Sequence, residues 1–344
     1  SVIRMKMPMQ GTIELDDLIR GKVKFENKLI DDQVLIKSDG YPTYHLANVV
    51  DDYSLEITDV IRGEDWLPST PKHLSLYRAF GWNLPNFAHL PMILGKDKSK
   101  LSKRHGAMPV LSYKSAGYLS QAFFNHLALL GWHPKDDTEI MDKDEIFANF
   151  TLDRVQKSGA VFDKEKLDWM NGVYIRNLPT AILKEKIQQF GKEEDVETTD
   201  MFSKITSAIP KSNSDKALAL ISGRMRTLKD YTPLSAFLTE AENYSADFLS
   251  FKKAPKKETA QSLGLSLELL QTIANREYSL DRSSHYFNHL IAQNGFTPGQ
   301  VLHPLRVALT GLPNSPGAFE IIEVLGKRES VARVKSALGK LKEK

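Results

Sequence analysis

The chain has 344 residues, 41% of them hydrophobic and 26% charged, enough to bury the cores of two or three domains and too apolar for a disordered tail. It contains no cysteine, which excludes disulfides, thiolate zinc sites, iron–sulfur clusters and cysteine nucleophiles, and suits a cytoplasmic protein. With 46 basic and 43 acidic residues the net charge is only +3, so a nucleic-acid partner must be met by local basic patches.

Residues 1–35 read as short strands and turns, with apolar alternation from Ile3 to Met7 and at Val23-Lys24-Phe25, punctuated by Gly11 and Gly21. The opening Ser1-Val2-Ile3-Arg4 enters that alternation at once and without Met, like a strand cut into partway through a protein. Apolar runs at 34–36, 57–61 and 89–94 then alternate with a helical pattern over 71–80, the order of a βαβ unit on a parallel sheet. Tyr41-Pro42-Thr43-Tyr44-His45 reads as the start of another strand, where the Tyr44 hydroxyl can bond a polar ligand; a half-buried structural tyrosine is the plainer reading. The uncharged stretch 115–134 places Leu119, Phe123, Leu127 and Leu130 at helical spacing, which predicts a buried amphipathic helix rather than a membrane span. Helices are predicted over 119–130, 143–150, 164–171, 181–190, 215–228, 233–242 and 265–274, with Pro, Gly and Asn at their edges. The second half is thus a stack of helical subdomains, and its last 24 residues carry seven basic and three acidic side chains.

Two segments can carry chemistry. The loop Gly95-Lys96-Asp97-Lys98-Ser99-Lys100-Leu101-Ser102-Lys103-Arg104-His105-Gly106 has five basic residues and one acid, and lysines there can close over a polyphosphate and neutralise a leaving pyrophosphate. A solvated turn is the plainer alternative. In Ile61-Arg62-Gly63-Glu64-Asp65-Trp66, Arg62 can clamp a carboxylate bidentately while Trp66 offers a surface to a base; the alternative is a surface ion pair of Arg62 with Glu64 or Asp65 over a core tryptophan. No Walker or G-x-G-x-x-G pattern is present, and neither the nine histidines nor Asp51-Asp52 has metal-site spacing, so no protein-bound metal is expected.

The segments 38–52, Val60-Ile61-Arg62-Gly63-Glu64-Asp65-Trp66 and Lys100-Leu101-Ser102-Lys103-Arg104-His105-Gly106 occur in the order seen in bacterial-type glutamyl-tRNA synthetases, which the chain closely resembles. The last looks like that family's form of the class I Lys-Met-Ser-Lys-Ser loop. Val161-Phe162-Asp163 through Leu167-Asp168-Trp169-Met170-Asn171-Gly172 resembles its next landmark, and His303-Pro304-Leu305-Arg306-Val307-Ala308-Leu309-Thr310-Gly311 with Pro316-Gly317-Ala318-Phe319-Glu320 resembles its distal anticodon-binding domain. The likeness runs the whole length and is weakest over 185–295.

The resemblance implies ATP-dependent activation of L-glutamate to glutamyl-adenylate and transfer to the 3′ end of tRNA(Glu), in a cytoplasmic monomer. Arg62 would hold the glutamate side-chain carboxylate, with Tyr44 and Asn48 lining the pocket. Asp65, Trp66 and Ile93 would border ATP, and Lys100, Ser102 and Lys103 would form the catalytic loop, Lys103 steadying the pyrophosphate. Mg²⁺ would arrive with ATP, and no protein-bound zinc is expected. Lys166 and Arg176 match tRNA-contacting positions; Arg224, Arg306, Pro316 and Phe319 match anticodon-contacting ones, suited to splayed bases. Arg224 falls where members restricted to the glutamate tRNA carry an arginine that reads the third anticodon base as cytosine.

The implied fold is α/β followed by all-α: the end of a connective insertion over 1–35, the second half of a Rossmann-type catalytic domain over 36–94, a phosphate-closing loop and stem-contact domain over 95–180, and anticodon-binding helical domains over 181–263 and 264–344. The sequence departs from the family in lacking the first catalytic half with its His-x-Gly-His signature. The expectation is therefore a ligase part that needs that half for chemistry; the alternative is a tRNA-binding module that catalyses nothing.

Overall fold

The structure is a computed structural model that describes residues 1–102, 108–239, 241 and 243–342. In chain order it forms β1 (Ile3–Arg4), β2 (Thr12–Asp17), β3 (Gly21–Glu26), β4 (Val34–Ile36), α1 (Tyr44–Ser54), β5 (Asp59–Gly63), α2 (Thr70–Phe80), β6 (Asn86–Leu90) and β7 (Ile93–Leu94). Then come α3 (Val110–Ser115), α4 (Ser120–Ala128), α5 (Lys143–Asn149), β8 (Ala160–Val161) and α6 (Lys164–Asn177). The remainder is helical: α7 (Thr180–Glu193), α8 (Val196–Ala208), α9 (Ser214–Ser222), α10 (Tyr231–Ser235), α11 (Lys256–Thr272), α12 (Leu280–Gln293), α13 (Pro298–Thr310) and α14 (Ala318–Lys342). The chain divides into two compact units, Ser1–Met108 with Gln121–Leu167, and Pro109–Ser120 with Asp168–Lys344.

The first unit is built on a sheet of order β3-β2-β6-β5. β2 and β3 form an antiparallel hairpin, while β6 runs parallel to both β2 and β5. Helix α2 carries the chain from β5 to β6, the βαβ unit that the alternation of apolar runs with a helical pattern predicts. Burial alternates along β2, where Ile13, Leu15 and Asp17 point inward, as a sheet covered on one face requires. Ile13 and Leu15 pack with Met7, Phe87 and Leu74 of α2, and Val49 of α1 packs with Leu76 and Tyr77. A third cluster joins Ile19 and Ala88 to Trp132, Met141 and Ile146.

Three expectations for this unit are corrected. The strand expected at 41–45 is the approach to α1: Thr43 takes the extended N-cap position, its hydroxyl donates to the Val34 carbonyl at 2.7 Å, and Leu46, Val49, Val50 and Tyr53 recur at helical spacing. The apolar run over 89–94 does not continue as one strand, because Pro91 has no N–H for a ladder; β7 instead pairs in parallel with β8. In α4 the buried face runs through Ala122, Asn125 and His126, which leaves Leu127 exposed. The stripe expected through Leu119, Phe123, Leu127 and Leu130 is displaced because two polar residues occupy the core face, Asn125 accepting the Met141 N–H at 3.0 Å. No helix among the described residues is long and apolar enough to cross a membrane.

In the second unit α11, α12 and α13 pack against α14, with Phe287, Leu305, Ile321 and Val334 fully buried. Gly326 breaks α14 with φ 71° and ψ 178°. The helix expected over 215–228 ends at Ser222 before Gly223, and the chain re-enters a 3-10 turn at Leu228–Asp230 through the capping box of Thr227 with Asp230. The helix expected over 233–242 shortens to α10 and a 3-10 turn at Ala236–Leu238, whereas that expected over 265–274 begins at Lys256 behind Pro255. Gly117 closes a tight approach: its carbonyl accepts the Leu228 N–H at 2.9 Å, and a Cβ there would lie 2.7 Å from the Lys229 nitrogen.

Candidate active site

Parallel register places Arg62 of β5 directly opposite His89 of β6, and Asp17 of β2 opposite Phe87, so three neighbouring strands carry Asp17, His89 and Arg62 in a row. The Arg62 guanidinium donates from Nε to His89 Nε2 at 3.1 Å, from Nη2 to the Thr70 hydroxyl at 2.9 Å, and more weakly from Nη1 to His73 Nδ1 at 3.4 Å. Thr70 and His73 come from the first turn of α2. The guanidinium carbon lies 5.9 Å from the Trp66 ring centroid and 5.6 Å from that of Phe87. A guanidinium has five N–H groups; three are used here, and two have no partner among the described residues.

The surface ion pair weighed for Arg62 is not formed. Glu64 pairs instead with Arg20 at 2.6 Å and accepts the Met92 N–H at 2.9 Å, and Asp65 pairs with Lys100 at 2.7 Å. Among the described residues no carboxylate lies within ion-pair distance of Arg62. Burial pushes its pKa down, against the attraction of Tyr44, Asp52 and Asp17. This half-buried cation has a threonine hydroxyl and two imidazoles as its polar partners, so its solvation is partly lost without a paired carboxylate among the described residues.

Burial disfavours the charged form of both imidazoles. Burial pushes His73 down to about 3, helped by Arg62 and His45, and burial also lowers His89 despite its bond to Asp17. Asp17 itself would be raised by burial, but N–H groups of Arg20, His89 and Ile19 hold its carboxyl below the usual range. On α1, Tyr44 lies against Trp66 with ring centroids 4.9 Å apart, His45 Nδ1 meets His73 Nε2 at 2.8 Å, and Asn48 donates to Asp52 at 3.1 Å. Burial raises the Asp52 carboxyl. Tyr44, Asn48, Arg62 and Trp66 all belong to the first unit. Asp65 is exposed, and its carboxyl is lowered by the bond from Lys100; Ile93 is exposed in β7, and Ser102 is half-buried. Lys103 lies outside the described residues.

Residues 1–169 match the family described as tRNA synthetases class I (E and Q), catalytic domain, and residues 183–338 match the anticodon binding domain. The glutamate–tRNA ligase of Dehalococcoides mccartyi strain 195 is 42% identical over the whole chain, which spans 69% of that protein, and a glutamate–tRNA ligase of Thermus thermophilus is 41% identical over 98% of the chain and 69% of its own length. The chain belongs to the glutamate–tRNA ligase family. A crystal structure of the glutamate tRNA ligase from Elizabethkingia meningosepticum in complex with its amino acid superposes with a TM-score of 0.82 at 34% identity, over 99% of this chain and 68% of that one. Class I synthetase sheet-and-helix architecture followed by a helical anticodon-binding region agrees with the resemblance read from the sequence.

Of the remaining ligase-type positions, Lys166 of the first unit pairs with Glu139 at 2.6 Å, and Arg176 is exposed on α6 in the second. Four others converge on one loop of the second unit. Arg224 Nη2 donates to the Ser315 carbonyl at 3.2 Å and Arg306 Nη2 to the Pro313 carbonyl at 2.8 Å, beside Pro316, which is buried, and Phe319, whose ring centroid lies 5.8 Å from that of Phe287. Asp17, Thr70, His73 and His89 escaped the sequence reading. The available signal was two polar residues, Thr70 and His73, on the same helical face as Leu74 and Tyr77, and a histidine two residues after Phe87 in an apolar strand.

Proposed function

We propose that the first unit binds L-glutamate and takes part in its ATP-dependent activation, and that the second unit, with Lys166 of the first, holds tRNA(Glu) for transfer of the glutamyl group to its 3′ end. The observation that carries this reading is the Arg62 site, which leaves two guanidinium N–H groups for a carboxylate beside Trp66 and its neighbour Tyr44, with Asn48 on the same helix as Tyr44. With the side-chain carboxylate held there, an α-carboxylate oxygen attacks the α-phosphorus of ATP. The bond to the pyrophosphate oxygen breaks, and pyrophosphate leaves with both electrons of that bond. Lys100 and Lys103 neutralise the departing charge and Ser102 donates a hydrogen bond to it, Asp65, Trp66 and Ile93 border the nucleotide, and Mg²⁺ enters with ATP. The terminal adenosine hydroxyl of the tRNA then attacks the adenylate carbonyl and releases AMP. Lys166 and Arg176 contact the tRNA body, while Arg224, Arg306, Pro316 and Phe319 face the anticodon, Arg224 selecting the glutamate tRNA. The domain limits at 35, 94, 180 and 263 belong to the same proposal.

A second reading, tRNA binding without chemistry, is favoured by the absence of any His-x-Gly-His segment from these 344 residues. Glutamate-dependent ATP–pyrophosphate exchange, with the tRNA present, separates the two. Exchange above background supports activation by this chain. No exchange, with tRNA binding that weakens steeply as salt rises, supports the binding module.

A further inference from the structure

The Arg62 site raises a question of proton placement. A guanidinium can only donate, so His89 Nε2 must be the lone-pair nitrogen, and the ring proton must sit on Nδ1. His89 Nδ1 lies 2.6 Å from Asp17 Oδ2, where an ionised carboxylate accepts that proton, and the Thr70 hydroxyl, 3.2 Å from His89 Nε2, can donate to the same lone pair. The same logic runs along the other arm: His73 Nδ1 accepts from Arg62, so His73 Nε2–H donates to His45 Nδ1. We propose that Asp17 and His89 are positioning residues, Asp17 fixing the His89 tautomer so that its free nitrogen holds Arg62 Nε–H and aims the two remaining guanidinium N–H groups at the substrate carboxylate. The aiming clause rests on Arg62 being the glutamate-binding group.

Asp17→Asn tests this with almost no change of shape. Asp17 Oδ1 accepts the backbone N–H groups of Ile19 at 3.0 Å and Arg20 at 2.8 Å, while the His89 backbone N–H is shared between Oδ1 at 3.3 Å and Oδ2 at 3.2 Å. The amide oxygen keeps the Oδ1 position, since an NH₂ there would face the Ile19 and Arg20 N–H groups with no acceptor, whereas at the Oδ2 position the NH₂ faces one shared N–H and one ring nitrogen that can accept. The NH₂ then replaces Oδ2 and donates to His89 Nδ1, which drives the ring proton to Nε2, where it opposes the Arg62 Nε–H donor to donor. The same isosteric change in a Ser-His-Asp triad acts by producing the wrong tautomer.

The experiment is ¹⁵N nuclear magnetic resonance on the full 344-residue chain, recording the His89 ring nitrogens and the Arg62 Nε–H, with L-glutamate as titrant. In the unsubstituted chain the proton is expected on His89 Nδ1 and the Arg62 Nε–H is expected to exchange slowly. In Asp17→Asn the proton moves to Nε2, Arg62 Nε–H exchange accelerates at least about tenfold, and glutamate affinity read at Arg62 falls about tenfold to a hundredfold. A merely structural Asp17 would alter stability without moving that proton. The proposal is overturned by an Nε2–H tautomer in the unsubstituted chain, which needs no variant to fold, or by a tautomer switch that leaves Arg62 exchange and glutamate affinity unchanged. If glutamate fails to perturb Arg62 in the unsubstituted chain, the ligand assignment fails and the aiming clause with it, while the tautomer and exchange data still decide whether Asp17 and His89 fix Arg62.

Discussion

Replacing Arg62 by Met separates a binding cation from a structural one. Arg62 gives three hydrogen bonds to His89, Thr70 and His73, none to a carboxylate, and burial works against its charge. An unbranched apolar side chain relieves that desolvation and leaves two imidazoles and a hydroxyl to rearrange, so stability should change by no more than about 1 kcal/mol and can rise. Binding should behave differently. Two charge-assisted bonds to a carboxylate, at about 1.5–3 kcal/mol each, amount to ~3–6 kcal/mol, or about a hundredfold to ten-thousandfold in glutamate affinity. Urea unfolding gives the first quantity; calorimetric titration with L-glutamate, alongside glutamate-dependent pyrophosphate exchange wherever it is measurable, gives the second. A variant destabilised by more than about 2 kcal/mol that binds glutamate as before would refute the reasoning, because Arg62 would then be a structural residue.

Other consequences follow from buried groups and tight contacts. His73 and His126 are buried and depressed to about 3 and about 4, so below the unfolded histidine pKa near 6.5 only the unfolded chain takes up their protons. Stability should therefore fall as pH drops from about 6.5 towards 4, by up to ~1.4 kcal/mol per pH unit for each ring, and urea midpoints that stay flat from pH 7 to 5 would contradict this. Gly117→Ala puts a Cβ at φ +84° within 2.7 Å of the Lys229 nitrogen, and is expected to destabilise the second unit by at least about 2 kcal/mol, read from Trp169 fluorescence during unfolding. Arg333 is 5% exposed and donates to the carbonyls of Phe237 and Leu309, so Arg333→Met should lose about 2–4 kcal/mol in the same assay, unlike the proposed outcome at Arg62.

Why the two arginines differ in this way bears on what a sequence can disclose. The Ile61-to-Trp66 segment was legible because its chemistry is contiguous: a charged residue at a strand's carboxyl end followed by an aromatic. Its supporting residues were not, since positions 17, 62, 73 and 89 meet only through the register of β2, β6 and β5 and the crossover of α2. The βαβ order was readable from the change of apolar period, yet Thr43 turned an apparent strand into a helix through its contact with Val34, which lies on a different element. In the helical half, α14 hides its apolar face because Gly326 resets the phase midway, and the convergence of Arg224 and Arg306 on one loop depends on packing between segments some eighty residues apart.

The central claim is that Arg62 receives the side-chain carboxylate of glutamate, and equilibrium binding of L-glutamate against L-glutamine to the unsubstituted chain at pH 7 tests it most directly. The account predicts tighter binding of glutamate by at least about tenfold, a preference lost in Arg62→Met. Equal affinities, or a preference that survives the substitution, would contradict it.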